Sequence, residues 1–150
     1  MAAEPRVFLD TSVLFAAVLS ETGGSWLILK LGESGAVGLW VGSRVLEEAE
    51  AVLAHKASES KAIFALLLDQ AKVSVGPSPD QAALSQASAV VGYPPDAHIL
   101  GEALVAEVDY LVSLDRKHLV GNPRASELSF PIGTPGDFLA WFREHLQEGV

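Results

Sequence analysis

Short apolar runs rich in β-branched or aromatic residues recur along the chain at Val7–Leu9, Val37–Val41, Val73–Val75 and Tyr110–Val112, with another near Phe130–Ile132. Each is brief and bounded, as buried strands are. Helical spacing fills the intervals. An apolar helix follows Thr11-Ser12. Ser43 opens a second, with Val45, Leu46, Ala49, Val52 and Leu53 as its apolar positions. Ser58 to Ala71 reads as another, with Ile63, Phe64, Leu67 and Leu68 on one face. Ser78-Pro-Asp-Gln81 has the spacing of a capping box, with proline at the first helical position. Asp96 begins a helix that runs from Ala97 to about Glu107. Thr134-Pro-Gly-Asp137 is a second capping box and opens the last helix, through about Leu146. Strands alternating with helices imply βαβ units, hence an α/β fold with a mostly parallel sheet and helices on both faces. Gly76-Pro-Ser-Pro79 and Gly92-Tyr-Pro-Pro95 are too short to separate domains. Residues 1–150 are therefore read as a single domain.

In an open parallel sheet, sites form where strands end and helices begin. Asp10 follows the first strand directly and precedes Thr11-Ser12. A helix N-cap needs one such residue, and three stand in a row. Asp115 follows the strand-like Asp109–Leu114 and falls at the same sheet edge, or is a solvated turn aspartate beside Arg116 and Lys117. Asp96 lies in the first turn of its helix, where the exposed N–H groups and the helix dipole also favour a carboxylate. In Glu47-Glu48-Ala49-Glu50 the helical wheel sends Glu47 to solvent and leaves Glu48 and Glu50 on opposite borders of the apolar stripe. Up to four carboxylates from distant parts of the chain thus collect near one edge. Like charges so gathered need compensation, and oxygen-only ligands select a hard divalent cation, Mg²⁺ or Mn²⁺.

Composition narrows the rest. The chain has no cysteine, and His55, His98, His118 and His145 show no zinc-type spacing. Neither GxGxxG nor a P-loop is present. Half of the residues are hydrophobic and the mean hydropathy is +0.31, yet no apolar run approaches the roughly 18 residues a membrane span needs. The opening Met1-Ala-Ala-Glu-Pro-Arg6 lacks a signal pattern, so the expectation is a cytoplasmic protein without a membrane partner. The net charge of −9 argues against holding nucleic acid by bulk charge.

Val7-Phe-Leu-Asp-Thr-Ser-Val-Leu14 resembles the opening of PIN domains. Ser43-Arg-Val-Leu-Glu-Glu48 resembles the family's second acidic motif, Pro95-Asp-Ala-His-Ile-Leu100 the third, and Asp109-Tyr-Leu-Val-Ser-Leu-Asp115 the fourth. Ile132-Gly-Thr-Pro135 with Phe138-Leu139 resembles the closing segment. The resemblance spans about Val7 to Leu139 in order and spacing, and its flavour is that of prokaryotic PIN toxins of the VapC type. It implies a three-layer α/β/α sandwich around a parallel five-stranded sheet and Mg²⁺- or Mn²⁺-dependent cleavage of RNA. Carried over by position, the catalytic and metal-holding acids are Asp10, Glu48, Asp96 and Asp115, which selects Glu48 over Glu50. Ser12 stands where the family more often has asparagine, and Ser113 where it has threonine or serine.

The reaction expected is phosphodiester hydrolysis. Asp10, Asp96 and Asp115 would hold one or two cations directly or through water, with Glu48 completing or orienting the shell. Thr11, Ser12 and Ser113 would orient carboxylates or water by hydrogen bonds. Arg44, Arg116, Lys117 and Arg124 are candidates for RNA phosphate contact, and each is also an ordinary solvated surface charge. The alternatives are a PIN scaffold that has lost catalysis and only binds protein or RNA, a phosphoaspartyl phosphatase, and a phospho-receiver domain. A phosphatase would want an aspartate at position 12, where serine stands. A receiver would want paired acids before its aspartate. The apolar composition further implies a self-interface or an antitoxin, so a homodimer and an antitoxin partner are expected. Discounting the four site acids still leaves −5 of the −9, so tight nonspecific RNA binding is not expected.

Overall fold

The computed structural model describes the backbone of residues 4–56 and 58–148, and the side chains of all these except 56, 58–60, 147 and 148. The Met1–Ala3 part of the opening lies outside it. The elements run β1 (Arg6–Leu9), α1 (Thr11–Leu19), α2 (Gly24–Ser34), β2 (Gly38–Val41), α3 (Ser43–Lys56), α4 (Ser58–Gln70), β3 (Ser74–Val75), α5 (Gln81–Val90), α6 (Pro94–Val105), β4 (Tyr110–Val112), β5 (Ile132–Gly133) and α7 (Pro135–Glu148). The described strands form one sheet in the order β3-β2-β1-β4-β5, and every neighbouring pair is parallel.

Val7, Phe8 and Leu9 of β1 are all fully buried, as are Leu111 and Val112 of β4. Burial of consecutive residues means that both faces of the central strands are covered, which is why these runs are continuously apolar. Helices α1 to α4 and α7 form one connected group, and α5 and α6 pack on each other as a second. The result is the three-layer α/β/α sandwich expected. Helix α7 buries Phe138 and Phe142, and Trp141 packs beside Phe138 and Tyr110 with ring centroids 5.8 and 5.2 Å apart. No single described helix is long and apolar enough to cross a membrane.

Several local expectations need correction. Helix α2 has no counterpart in the sequence reading, because Gly23 at its N-cap offers no side-chain bond to announce it. Its end is marked by Gly35, which takes a left-handed φ of 83° that glycine adopts without strain. Helix α5 is capped by Asp80, not Ser78: Asp80 Oδ1 accepts from Ala83 N at 2.8 Å. Helix α6 starts at Pro94, two residues before Asp96. The box at Thr134 forms as expected, with Asp137 N donating to Thr134 Oγ1 and Thr134 N to Asp137 Oδ2. Val52 and Ile63, read as members of the apolar faces of their helices, are 37% and 51% exposed.

Candidate metal centre at the sheet edge

β1 pairs with β2 on one side and β4 on the other, and the chain builds outward from β1 in both directions. The gap beyond the ends of β1 and β4 is therefore the topological switch point, where α/β sheets form their crevices. Leu9 is in register with Val112, so the next residues, Asp10 and Ser113, stand side by side. Asp10 N donates to Val112 O at 3.2 Å, continuing the ladder by one bond.

The Asp10 carboxylate is buried and held on both oxygens. Oδ2 accepts from the Ser113 hydroxyl, and Oδ1 from the hydroxyl and backbone N–H of Ser12. Each hydroxyl also accepts a bond from the second strand's loop: Leu114 N reaches Ser12 Oγ at 3.1 Å and Asp115 N reaches Ser113 Oγ at 2.9 Å. The two serines thus lock the loop after β4 against Asp10. Ser12 donates to Asp10 through both its hydroxyl and its backbone N–H. Asp10 is at once the N-cap of α1 and a member of the crevice. Burial pushes its carboxyl above the usual range, against the pull of these hydrogen bonds.

Asp96 comes from the first turn of α6, where no side-chain capping bond forms among the described residues. It turns instead toward Asp115. Burial, together with the hydrogen bond and charge of Asp115, pushes Asp96 up to about 6, while His118 pulls the other way. Asp115 feels burial too, but the N–H groups of His118 and Lys117, the bond to Asp96 and the His118 ring outweigh it, and it ends below the usual range. Of the two carboxyls, Asp96 is therefore the one that takes up a proton first as pH falls.

His118, dismissed on spacing alone, belongs to this group. Its Nδ1 lies 2.8 Å from Asp96 Oδ2 and 3.4 Å from Asp115 Oδ2. The Asp115 contact is a hydrogen bond; the Asp96 contact lacks the angle for one, and Asp96 Oδ2 is buried with no donor. Asp96, Asp115 and His118 bring their ligand atoms within 4.8 Å of one another. The one available signal was the Asp-x-x-His spacing from Asp115, a single turn of chain.

Glu48 stands apart from that trio. It is half-exposed, with Oε1 3.3 Å from Arg44 Nε and Oε2 accepting from Thr11 Oγ1 at 3.3 Å. Thr11, the residue after Asp10, therefore ties Glu48 to the start of α1. Arg44 is committed to this exposed pair, which contributes little to stability. Arg116 and Lys117 are exposed. Arg116 draws the Asp137 carboxyl down, a minor addition to the capping bonds from Thr134, and Arg124 pairs with Glu127.

A second residue, this one an acid, escaped the sequence reading. Glu102 of α6 is fully buried, and its Oε2 accepts from Arg44 N at 3.1 Å, at the start of α3. Burial pushes its carboxyl up, opposed by that N–H. Gly42 makes the approach feasible, since a Cβ there would overlap the Glu102 carboxylate. The signal was an acid in the midst of the apolar positions Ile99, Leu100 and Ala103. A groove of about 350 Å³ lies beside this end of the molecule, lined by Arg44, Pro94, Pro95 and His98 among others. A cavity of about 510 Å³ lies elsewhere, along Leu104 to Val108, and holds none of the acids above.

The raised Asp96 value has a measurable sign. The native carboxyl keeps a proton that the unfolded chain releases near 3.8, so the group's contribution to stability falls as pH rises from there to about 6. Carboxyl-carbon NMR in EDTA is expected to show Asp96 titrating near 6, and Asp115→Asn to lower that midpoint. Titration at the usual aspartate value in the native protein would contradict the effect of burial and of Asp115 on this group.

The chain is thus an α/β sandwich with acidic groups gathered at its topological switch point. The PIN domain family model matches residues 6–117, and the chain belongs to that family. Two solved structures are similar over most of their length. One is PAE2754 from Pyrobaculum aerophilum, 16% identical, with a TM-score of 0.59 over 93% of this chain and 96% of that one. The other is VapBC2 from Rickettsia felis bound to a DNA fragment from their promoter, 13% identical, with a TM-score of 0.60 over 85% and 96%. At these identities the likeness is one of fold. No curated protein matches the chain.

Proposed function

We propose that the protein is a divalent-metal-dependent endoribonuclease, the toxin component of a toxin–antitoxin pair. The observation that carries this reading is Asp96 Oδ2, a buried carboxylate oxygen without a donor, facing Asp115 in a crevice that also holds buried Asp10. A native protein seldom leaves such an oxygen uncompensated, and the donor set fits a small divalent cation, Mg²⁺ or Mn²⁺. Asp96 and Asp115 would hold it directly, Asp10 directly or through water, and Glu48 would orient the shell through Thr11. A bound cation supplies Lewis acidity and positive charge against a phosphate.

The chain's own residues do the rest. Ser12 and Ser113 fix the Asp10 carboxylate, so it does not swing when substrate arrives. A cation held by Asp96 and Asp115 would offset the repulsion between the two carboxylates that raises Asp96. Arg44, Arg116 and Lys117 are the cations to contact RNA phosphates, in a protein whose net charge of −9 gives little nonspecific attraction. The test is cleavage of a labelled RNA with Mg²⁺ or Mn²⁺ against EDTA; cleavage that persists in EDTA contradicts the reading.

The proposal includes an antitoxin partner, a homodimer and a cytoplasmic setting. The VapBC2 structure supports the partner by likeness of fold. Exposed Leu19, Ile63 and Leu66 are apolar surface available for contact. Light scattering after size exclusion is expected to give a dimer at micromolar concentration, and a monomer would contradict that part.

A further inference from the structure

We infer that His118 is a metal ligand, and that the site is a mixed oxygen–nitrogen centre that prefers Mn²⁺ to Mg²⁺. The inference rests on the metal-site reading above and sharpens it. Nδ1 of His118 reaches the same two carboxylate oxygens, Asp96 Oδ2 and Asp115 Oδ2, that remain turned into the crevice. The three donor atoms fall within 4.8 Å of one another, the span of donors placed about 2.0–2.4 Å around one cation. Nδ1 is 2.8 Å from Asp96 Oδ2 without the angle of a hydrogen bond and bonds Asp115 Oδ2 at 3.4 Å, so a cation bound by Nδ1 would displace the proton between Nδ1 and Asp115.

The ring is also held in place. It stacks on Tyr93, with centroids 4.6 Å apart and planes 15° from parallel, and the His118 backbone N–H donates to Asp115 Oδ1 at 3.1 Å. Tyr93, the N-cap residue of α6, is half-exposed, and its ring covers that of His118. A ligand ring fixed by its surroundings is the usual design of a metal site. Imidazole suits borderline cations, whereas Mg²⁺ strongly favours oxygen and keeps its waters. Three charged oxygen donors from Asp10, Asp96 and Asp115 alone would give no such preference.

The test uses Mn²⁺ and Mg²⁺ themselves on the full chain, at about pH 8, above the ordinary histidine range. Pulsed electron spin echo of the Mn²⁺-loaded wild type is expected to show the modulation of a directly bound imidazole nitrogen. His118→Ala should abolish it and His98→Ala should keep it. By calorimetry, His118→Ala is expected to lower Mn²⁺ affinity about tenfold or more and Mg²⁺ affinity much less, so the Mn²⁺/Mg²⁺ ratio collapses. Mn²⁺ binding without nitrogen modulation overturns the ligand assignment and leaves the carboxylate site intact. So does an equal loss of both metals, which would make His118 a positioning residue. Failure of the wild type to bind either ion overturns the metal centre as well.

Discussion

Asp10→Asn is expected to fold, to melt no lower than the wild type at about pH 8, and to cleave RNA about 10²–10³-fold more slowly. The two halves of this prediction have separate causes. The carboxyl is isosteric with the amide, and the hydroxyls of Ser12 and Ser113 rotate to donate or accept as needed. Burial raises the Asp10 pKa, so its ionised form costs the metal-free fold stability at high pH; removing the charge removes that cost. Activity falls because a charge at the crevice is worth most where water is excluded and the group is already in place. Asp115→Asn is expected to behave alike in cleavage. Thermal melting in EDTA beside single-turnover cleavage of labelled RNA checks both halves. A variant that keeps wild-type cleavage removes Asp10 from the machinery.

Gly42→Ala carries the second large effect, here on stability. The added methyl would overlap the Glu102 carboxylate, which is fully buried and tied to Arg44 N. A flexible side chain would step aside, but packing on all sides denies Glu102 that freedom. Overpacking of this kind costs about 1–3 kcal/mol. The cost should be local: in Gly42→Ala/Glu102→Ala the methyl gains the vacated space, and the double variant should lose clearly less than the sum of the singles. Additive losses in urea denaturation would mean that Gly42 and Glu102 act independently. Because α3 carries both Arg44 and Glu48, the same contact sets where the second acid stands relative to Thr11.

Where local signals were strong, the sequence was legible. The β1 run ending in Asp10 and the β4 run ending before Asp115 mark the crevice without knowledge of strand order, because parallel strands bring their ends to one edge. The reciprocal bonds of Thr134 and Asp137 follow from adjacent residues alone. Asp96 was found as an acid in a first helical turn, where capping and a place in the crevice were both open; two prolines occupy the first positions, and its side chain turns to Asp115. His118 and Glu102 were missed for one reason. Each has a decisive partner far away in the chain, Asp96 for the one and Arg44 for the other, and no spacing rule connects them. Helix α2 was missed for another, since its glycine cap carries no side-chain signal. Val52 and Ile63 follow helical periodicity yet remain exposed, because the stripe is wider than the neighbouring elements cover.

The central claim is that Asp10, Asp96 and Asp115 form one divalent-metal centre at the switch point of the sheet. Anomalous diffraction from crystals soaked in Mn²⁺ tests it most directly. The expected result is a peak within about 2.0–2.4 Å of carboxylate oxygens of Asp96 and Asp115, with Asp10 bonded to it or to a water on it. A Mn²⁺ peak elsewhere on the protein, with these carboxylates left bare, would contradict the account.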